Sequence, residues 1–139
     1  MTTAPTPAAP SPDDDSAPWW QGLREHRIVV QECDACAHRR LPRMPSCPWC
    51  ASPQWHDVTA VGTGTVYSFV RAHRALTPAM TGEVPYAIAA VDLDGGGRVF
   101  ARVEPAGDAA IGRNVVARYV DHGSWTELRF VAAAAGARA

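Results

Sequence analysis

All four cysteines of the chain fall between Cys33 and Cys50, in the segment ECDACAHRRLPRMPSCPWC. The spacing is Cys33-x2-Cys36, ten residues, then Cys47-x2-Cys50. Each pair sets two sulfurs on one side of a tight turn, and two such turns closed on each other make a tetrahedral S4 site suited to Zn²⁺. Pro42, Pro45 and Pro48 stiffen the link. A redox dithiol would not need a matched second pair, whereas an iron centre would use the same four ligands. His38 and His56 lie nearby in sequence, and neither is required. Four thiolates saturate tetrahedral zinc and leave no place for water or substrate, so the expected role is a structural Zn²⁺ whose binding energy stabilises the fold.

With 139 residues the chain has room for one ordinary core or two small modules that share an interface. Apolar residues are 47% and charged residues 19%, which marks most of it as globular. No run approaches a membrane span. The start, MTTAPTPAAPSPDDDSAP, has neither the basic nor the apolar region of a signal peptide, so a cytoplasmic chain with reduced thiols is expected. Setting aside Asp13, Asp14 and Asp15 leaves 13 Arg against 11 acids, and a zinc tetrathiolate would add −2. That near-neutral body, without a single Lys, argues against a nucleic-acid partner.

Residues 1–16 offer little to bury and read as a disordered tail, and 133–139 as a frayed one. Between them, Asp15 or Ser16 is expected to cap a helix of about three turns, with Pro18 in its first turn. Trp19 and Leu23 fall at helical spacing, with His26 a further member, while Trp20 points partly elsewhere. The indoles need cover, either from the chain's own core or from another subunit. RIVVQE and QWHDVTAVG read as strands flanking the cysteine pairs. Five more follow at 63–71, 86–94, 98–104, 113–121 and 125–131. In RVFARVE, Val99, Ala101 and Val103 share one face; in WTELRFV, Leu128 and Phe130 face away from Glu127 and Arg129. DGGG at 94–97 makes a tight hairpin. The expected fold is mainly β: an N-terminal helix plus rubredoxin-like zinc ribbon over 17–60, then a five-stranded OB-fold barrel over 61–132, with a five-stranded sandwich as the alternative.

The longest irregular connection is 72–85, and long loops on small barrels tend to be functional. Arg71, His73, Arg74 and Tyr86 are its candidate ligand- or partner-lining residues. Arg71 and Arg74 suit a single charge-assisted contact to a phosphate. No residues are assigned a catalytic role: no Ser-His-Asp arrangement has recognisable local context, and DGGG lies between strands, not before a helix.

The order of helix, ribbon and barrel, with PWWQGLREHRIVVQECDAC, CPWC, GTGTVYSFVRAHR, VPYAIAAVDLDGGGRVFARV and IGRNVVARYVD, resembles a specific family over residues 18–132. These are the acyl-CoA-associated zinc-ribbon/OB-fold proteins, long known as a domain family of unknown function. Ala37 stands where those proteins often have Gly. The resemblance implies a small accessory subunit of a thiolase-fold aldolase or thiolase, or of a hot-dog-fold enoyl-CoA hydratase. The partner would carry the catalytic residues, in reactions such as retro-aldol cleavage of branched acyl-CoA thioesters in sterol side-chain breakdown. By the same resemblance Cys33, Cys36, Cys47 and Cys50 hold the zinc. Trp19, Trp20 and Leu23 lie on the partner-facing helix, and acyl-CoA is met through the partner, with the 72–86 loop as this chain's contribution. A single-stranded nucleic-acid-binding module is the alternative, since zinc ribbons and OB barrels both occur in that role.

Overall fold

The computed structural model describes residues 6–134; the first five residues of the expected N-terminal tail, and 135–139 of the C-terminal one, lie outside the described residues. A reciprocal pair of hydrogen bonds leads into the helix. The Ser16 N–H donates to Asp13 Oδ1 at 2.8 Å, and the Asp13 N–H donates to Ser16 Oγ at 3.0 Å. The Ala17 N–H also reaches the Asp13 carbonyl at 2.8 Å, closing a turn just ahead of the helix. Ser16 is the N-cap, as expected, but its side chain turns back to Asp13 and caps no N–H of the helix.

Helix α1 (Ala17–Arg24) is eight residues long, shorter than the three turns expected. What stops it is a Schellman turn: His26 sits at φ 55°, the Arg27 N–H returns to the Gly22 carbonyl at 2.8 Å, and the His26 N–H to that of Leu23 at 2.9 Å. That turn is tied to the far end of the chain. The His26 ring stacks on Tyr119 at 4.8 Å between centroids, and its Nε2 lies 3.1 Å from Asp121 Oδ1. Arg24 donates to the Ser124 carbonyl at 2.9 Å, and Trp20 meets Trp125 edge to face at 6.0 Å.

Three strands form the ribbon sheet, in the order β2 (Arg39–Arg40), β1 (Ile28–Cys33), β3 (Trp55–Ala60). Successive side chains of a strand point to opposite faces. Ile28 and Val30 accordingly enter the main core, while Gln31 and Cys33, on other positions of β1, are buried outside it. One short strand thus links the metal site to the core.

The remaining strands are β4 (Thr63–Ala72), β5 (Tyr86–Leu93), β6 (Arg98–Val103), β7 (Asn114–Asp121) and β8 (Thr126–Ala132). They close in the order β4-β5-β6-β8-β7, with β7 returning to β4 and one parallel pair, β6 with β8. This is the expected five-stranded OB barrel, and the sandwich is excluded by its closure. The alternation read from the sequence holds: Val99, Ala101 and Val103 point inward, as do Leu128 and Phe130. Val66, Val91, Val99, Val103, Val115 and Phe130 are each at most 1% exposed. Leu23, Ile28 and Val30 join them, so helix, ribbon and barrel share one core. Each such side chain contributes roughly 1.5–3 kcal/mol relative to an exposed one.

Two predictions follow from this packing. In an open helix, Gly22→Ala would gain about 0.5–1 kcal/mol from backbone entropy. Here the new Cβ would lie 2.5 Å from Val29 Cγ2 and 3.0 Å from the Arg27 carbonyl. Valine is stiff and the carbonyl is fixed by the turn, so overpacking of about 1–3 kcal/mol wins. Thermal unfolding should show Gly22→Ala to be less stable than wild type. The second concerns acid. The Thr126 hydroxyl, then His26, hold the Asp121 carboxyl below its ordinary range. A depressed carboxylate contributes stability above its unfolded pKa, about 3.9, and loses it as pH falls through the folded value. The stability gap between wild type and Asp121→Asn should therefore be widest above about pH 4 and shrink below it, as read by denaturant titrations across pH.

Candidate metal centre and partner-facing surfaces

The two CxxC segments fold alike. In the first, the Cys33 N–H donates to the His38 carbonyl and the Ala37 N–H to that of Cys33, both at 2.9 Å. In the second, the Cys47 N–H donates to the Ser52 carbonyl at 2.9 Å and the Ala51 N–H to that of Cys47 at 2.8 Å. Backbone N–H groups also point at sulfur: those of Cys36 and Ala35 at Cys33, and those of Cys50 and Trp49 at Cys47. Each knuckle ends on a left-handed alanine, Ala37 at φ 63° and Ala51 at φ 64°.

The four sulfurs lie within 4.8 Å of one another. Cys33 and Cys50 are 3.6 Å apart, as are Cys36 and Cys47. Disulfide sulfurs would be about 2.05 Å apart, whereas a tetrahedron with Zn–S bonds of about 2.3 Å has edges of about 3.8 Å. The donor set therefore fits zinc. The thiols themselves call for a cation. The Cys36 backbone N–H leads in pulling the Cys33 thiol down to about 6. The His38 N–H favours the Cys36 thiolate too, yet burial and the three neighbouring sulfurs outweigh it and push that thiol up to about 12. Four thiolates coexist here only around a metal. With all four ligands supplied by the chain, no coordination position remains for substrate, and the zinc is structural. Neither nearby histidine belongs to the set: His38 meets Trp49 edge to face at 5.0 Å, and His56 bonds to Asp34 and to Glu32.

The other expected site residues are dispersed. Leu23 is 1% exposed and packs in the chain's own core, where it also lines the cavity that the indoles border. Trp19 and Trp20 are half-buried. Together they border a cavity of about 280 Å³ with Ile88, Phe100 and Leu128, and another of about 420 Å³ with Val29 and Leu41. Phe100 is 69% exposed and lines the same cavity as the indoles. Arg71 donates to the Ala106 and Ala109 carbonyls at 3.3 and 3.2 Å and so braces the 105–109 turn. His73 and Arg74 are exposed, whereas Tyr86 is buried beneath the Arg102 guanidinium, 4.5 Å from its ring centroid. The cavity beside Tyr86, about 330 Å³, is lined by Glu83, Arg102, Glu104 and Arg129 among others, and not by Arg71, His73 or Arg74. The four loop candidates are not brought together in one pocket.

The left-handed alanines generate a prediction. An L-residue in that region costs roughly 1–2 kcal/mol, of which glycine's extra chain entropy returns about 0.5–1 kcal/mol. Ala37→Gly and Ala51→Gly should each stabilise the zinc-loaded protein by about 0.5–1 kcal/mol, seen as a raised Tm.

Comparison with known proteins places this geometry. Residues 20–56 match the family model described as the ChsH2 rubredoxin-like zinc ribbon domain, and residues 57–120 that of the ChsH2 C-terminal OB-fold domain. Two curated relatives are a probable enoyl-CoA hydratase alpha subunit of Thermomonospora curvata and the 3-oxo-4,17-pregnadiene-20-carboxyl-CoA hydratase alpha subunit of Mycobacterium tuberculosis. The first is 42% identical over 90 residues, 65% of this chain and 28% of the relative. The second is 35% identical over 119 residues, 84% of this chain and 37% of the relative. The chain thus spans about a third of the length of these relatives. A solved chain of an Ltp2-ChsH2(DUF35) aldolase is 35% identical with a TM-score of 0.78, over 91% of this chain and 100% of that one. A Sulfolobus solfataricus protein of the DUF35 family shares the fold at 16% identity, with a TM-score of 0.59 and coverage of 86% of each chain. With ribbon and barrel matched in tandem and a solved relative covered end to end, the chain belongs to the ChsH2-type, or DUF35, zinc-ribbon/OB-fold family.

Proposed function

We propose that this chain is a non-catalytic accessory subunit that binds and completes a thiolase-fold acyl-CoA aldolase or thiolase. The observation that carries the reading is the likeness to the solved ChsH2(DUF35) chain, which is named with a second component, Ltp2, as one aldolase. The curated relatives, named as hydratase alpha subunits, support the coarser statement that such chains serve acyl-CoA enzymes. The site chemistry agrees, since a saturated zinc site offers no reactive position.

The surface supports attachment to another protein. Trp19, Trp20, Ile88 and Phe100 border one shallow apolar cavity where α1 meets the barrel. Aromatic side chains in such settings dominate binding energy. Sterol side-chain degradation, with retro-aldol cleavage of an acyl-CoA, is the setting we favour, because one relative's name carries a pregnadiene-carboxyl-CoA. Acyl-CoA would be bound mainly by the partner, with exposed His73 and Arg74 as this chain's nearest candidates. The nucleic-acid reading gains nothing from the structure: Arg98, Arg102, Arg118 and Arg129 are each engaged by a carboxylate of the chain.

Co-expression with a thiolase-fold enzyme encoded beside this chain tests the proposal. The two should co-purify, and the enzyme without this chain should lose activity on a panel of β-hydroxyacyl- and β-ketoacyl-CoA thioesters. Trp19→Ala should weaken the complex by about tenfold or more, measured by titration calorimetry, and Cys47→Ala should break it by unfolding the ribbon. A partner that is soluble and fully active alone would refute the reading.

A further inference from the structure

A loaded tetrathiolate site carries a charge of −2, and two of its sulfurs, those of Cys33 and Cys47, are buried. Buried charge is stable only with compensating donors or counter-charge. Backbone N–H groups supply part of that. Of the arginines between the two knuckles, Arg39 is bonded to Glu32 at 2.9 Å and Arg43 to Asp57. Arg40 differs. It is 4% exposed, and its Nε and Nη1 have no hydrogen-bond partner. Its Nη2 makes one long bond, 3.4 Å to the Met44 carbonyl. No carboxylate is bonded to it among the described residues, and a buried guanidinium in that condition is destabilising until an anion faces it.

Its position in the ribbon indicates which anion. Arg40 pairs with Gln31 across the β1–β2 ladder, so both side chains leave the same face of the sheet. Gln31 and Cys33 are alternate residues of β1 and share that face. Gln31 accepts the Met44 N–H at 3.0 Å, while Arg40 reaches the Met44 carbonyl. Met44 lies three residues before Cys47. Arg40 therefore stands on the face of the sheet that bears Cys33, and its guanidinium is bonded to the segment that leads into Cys47.

We infer that Arg40 is the buried counter-cation of the loaded metal site, a positioning residue that stabilises the zinc tetrathiolate by charge without ligating it. The proposal predicts that charge matters more than shape. Arg40→Met keeps an apolar stem and removes the charge; Arg40→Lys keeps the charge. Competition with a chromophoric chelator on the full chain should show Arg40→Met to bind zinc about 10–100-fold more weakly, the range for loss of an outer-shell partner, and Arg40→Lys close to wild type. Cobalt-substituted Arg40→Met should also show a shifted sulfur-to-metal charge-transfer band. Without metal, Arg40→Met should be no less stable than wild type. Arg40→Met with unchanged zinc affinity would overturn the proposal. So would an Arg40→Lys variant that folds yet releases zinc readily, which keeps the test decisive if Arg40→Met does not fold. Arg40 also lines a cavity of about 450 Å³ with Arg39, Arg98 and Trp49. Intact zinc affinity with loss of binding to inorganic phosphate would assign the guanidinium to a ligand in that cavity instead, and would equally overturn it.

Discussion

Four cysteine sulfurs within 4.8 Å of one another set the condition on which the rest of the structure depends. Their thiols cannot all ionise without a cation: the Cys36 backbone N–H leads in drawing Cys33 down to about 6, while burial and the neighbouring sulfurs drive Cys36 up to about 12. A bound metal removes that conflict, and the energy of closing the site is then folding energy. Apart from two short knuckles and three brief strands, the ribbon has little of its own to bury. Val29, Gln31, Cys33, Arg40 and Cys47 are its buried side chains outside the shared core.

The closed site matters beyond the ribbon because of the strand that bears its first ligand. β1 carries Cys33 at one end and Ile28 at the other, and Ile28 lies in the barrel's core. The strand's entry is fixed in turn by the Schellman turn after α1, where His26 and Arg24 reach Asp121 and Ser124. Metal, strand, helix and the β7–β8 turn form a mechanical series. The orientation of Trp19 and Trp20 is set by both ends of it, so a defect at the sulfurs is expected to be felt at the indoles.

Much of this was legible in the residues. The cysteine spacing defined the ligand set, and period-two alternation in RVFARVE and WTELRFV identified which side chains fill the barrel. What the sequence concealed has physical causes. Asp13 sits in an acidic run that reads as tail, and only its reciprocal bonds with Ser16 tie it to the start of the helix. His26 fits a helical stripe, but its left-handed φ ends the helix just before it. Two-residue β2 is too short for any periodicity. Leu23 has the same spacing whether it faces a partner or the core; its burial follows from tertiary packing alone. Arg71 and Tyr86 lie at the ends of one loop, yet the register that pairs Ala72 with Tyr86 leaves Arg71 on the 105–109 turn and Tyr86 under Arg102.

The balance of satisfied and unsatisfied groups over the surface separates scaffold from interface. On the barrel's outer face the charges answer one another: Arg102 with Glu83, Arg118 and Arg129 with Glu104, His122 and Arg129 with Glu127. These pairs, most of them partly buried, leave few free charges with which to hold a ligand. The apolar groups are unanswered: Phe100 at 69% exposure and Ile88 at 38%, beside the half-buried indoles. Polar satisfaction with apolar excess is the pattern of a surface that gains by excluding water against another protein. On a chain whose metal is coordinatively closed, that surface is the feature through which the proposed accessory role would be exercised.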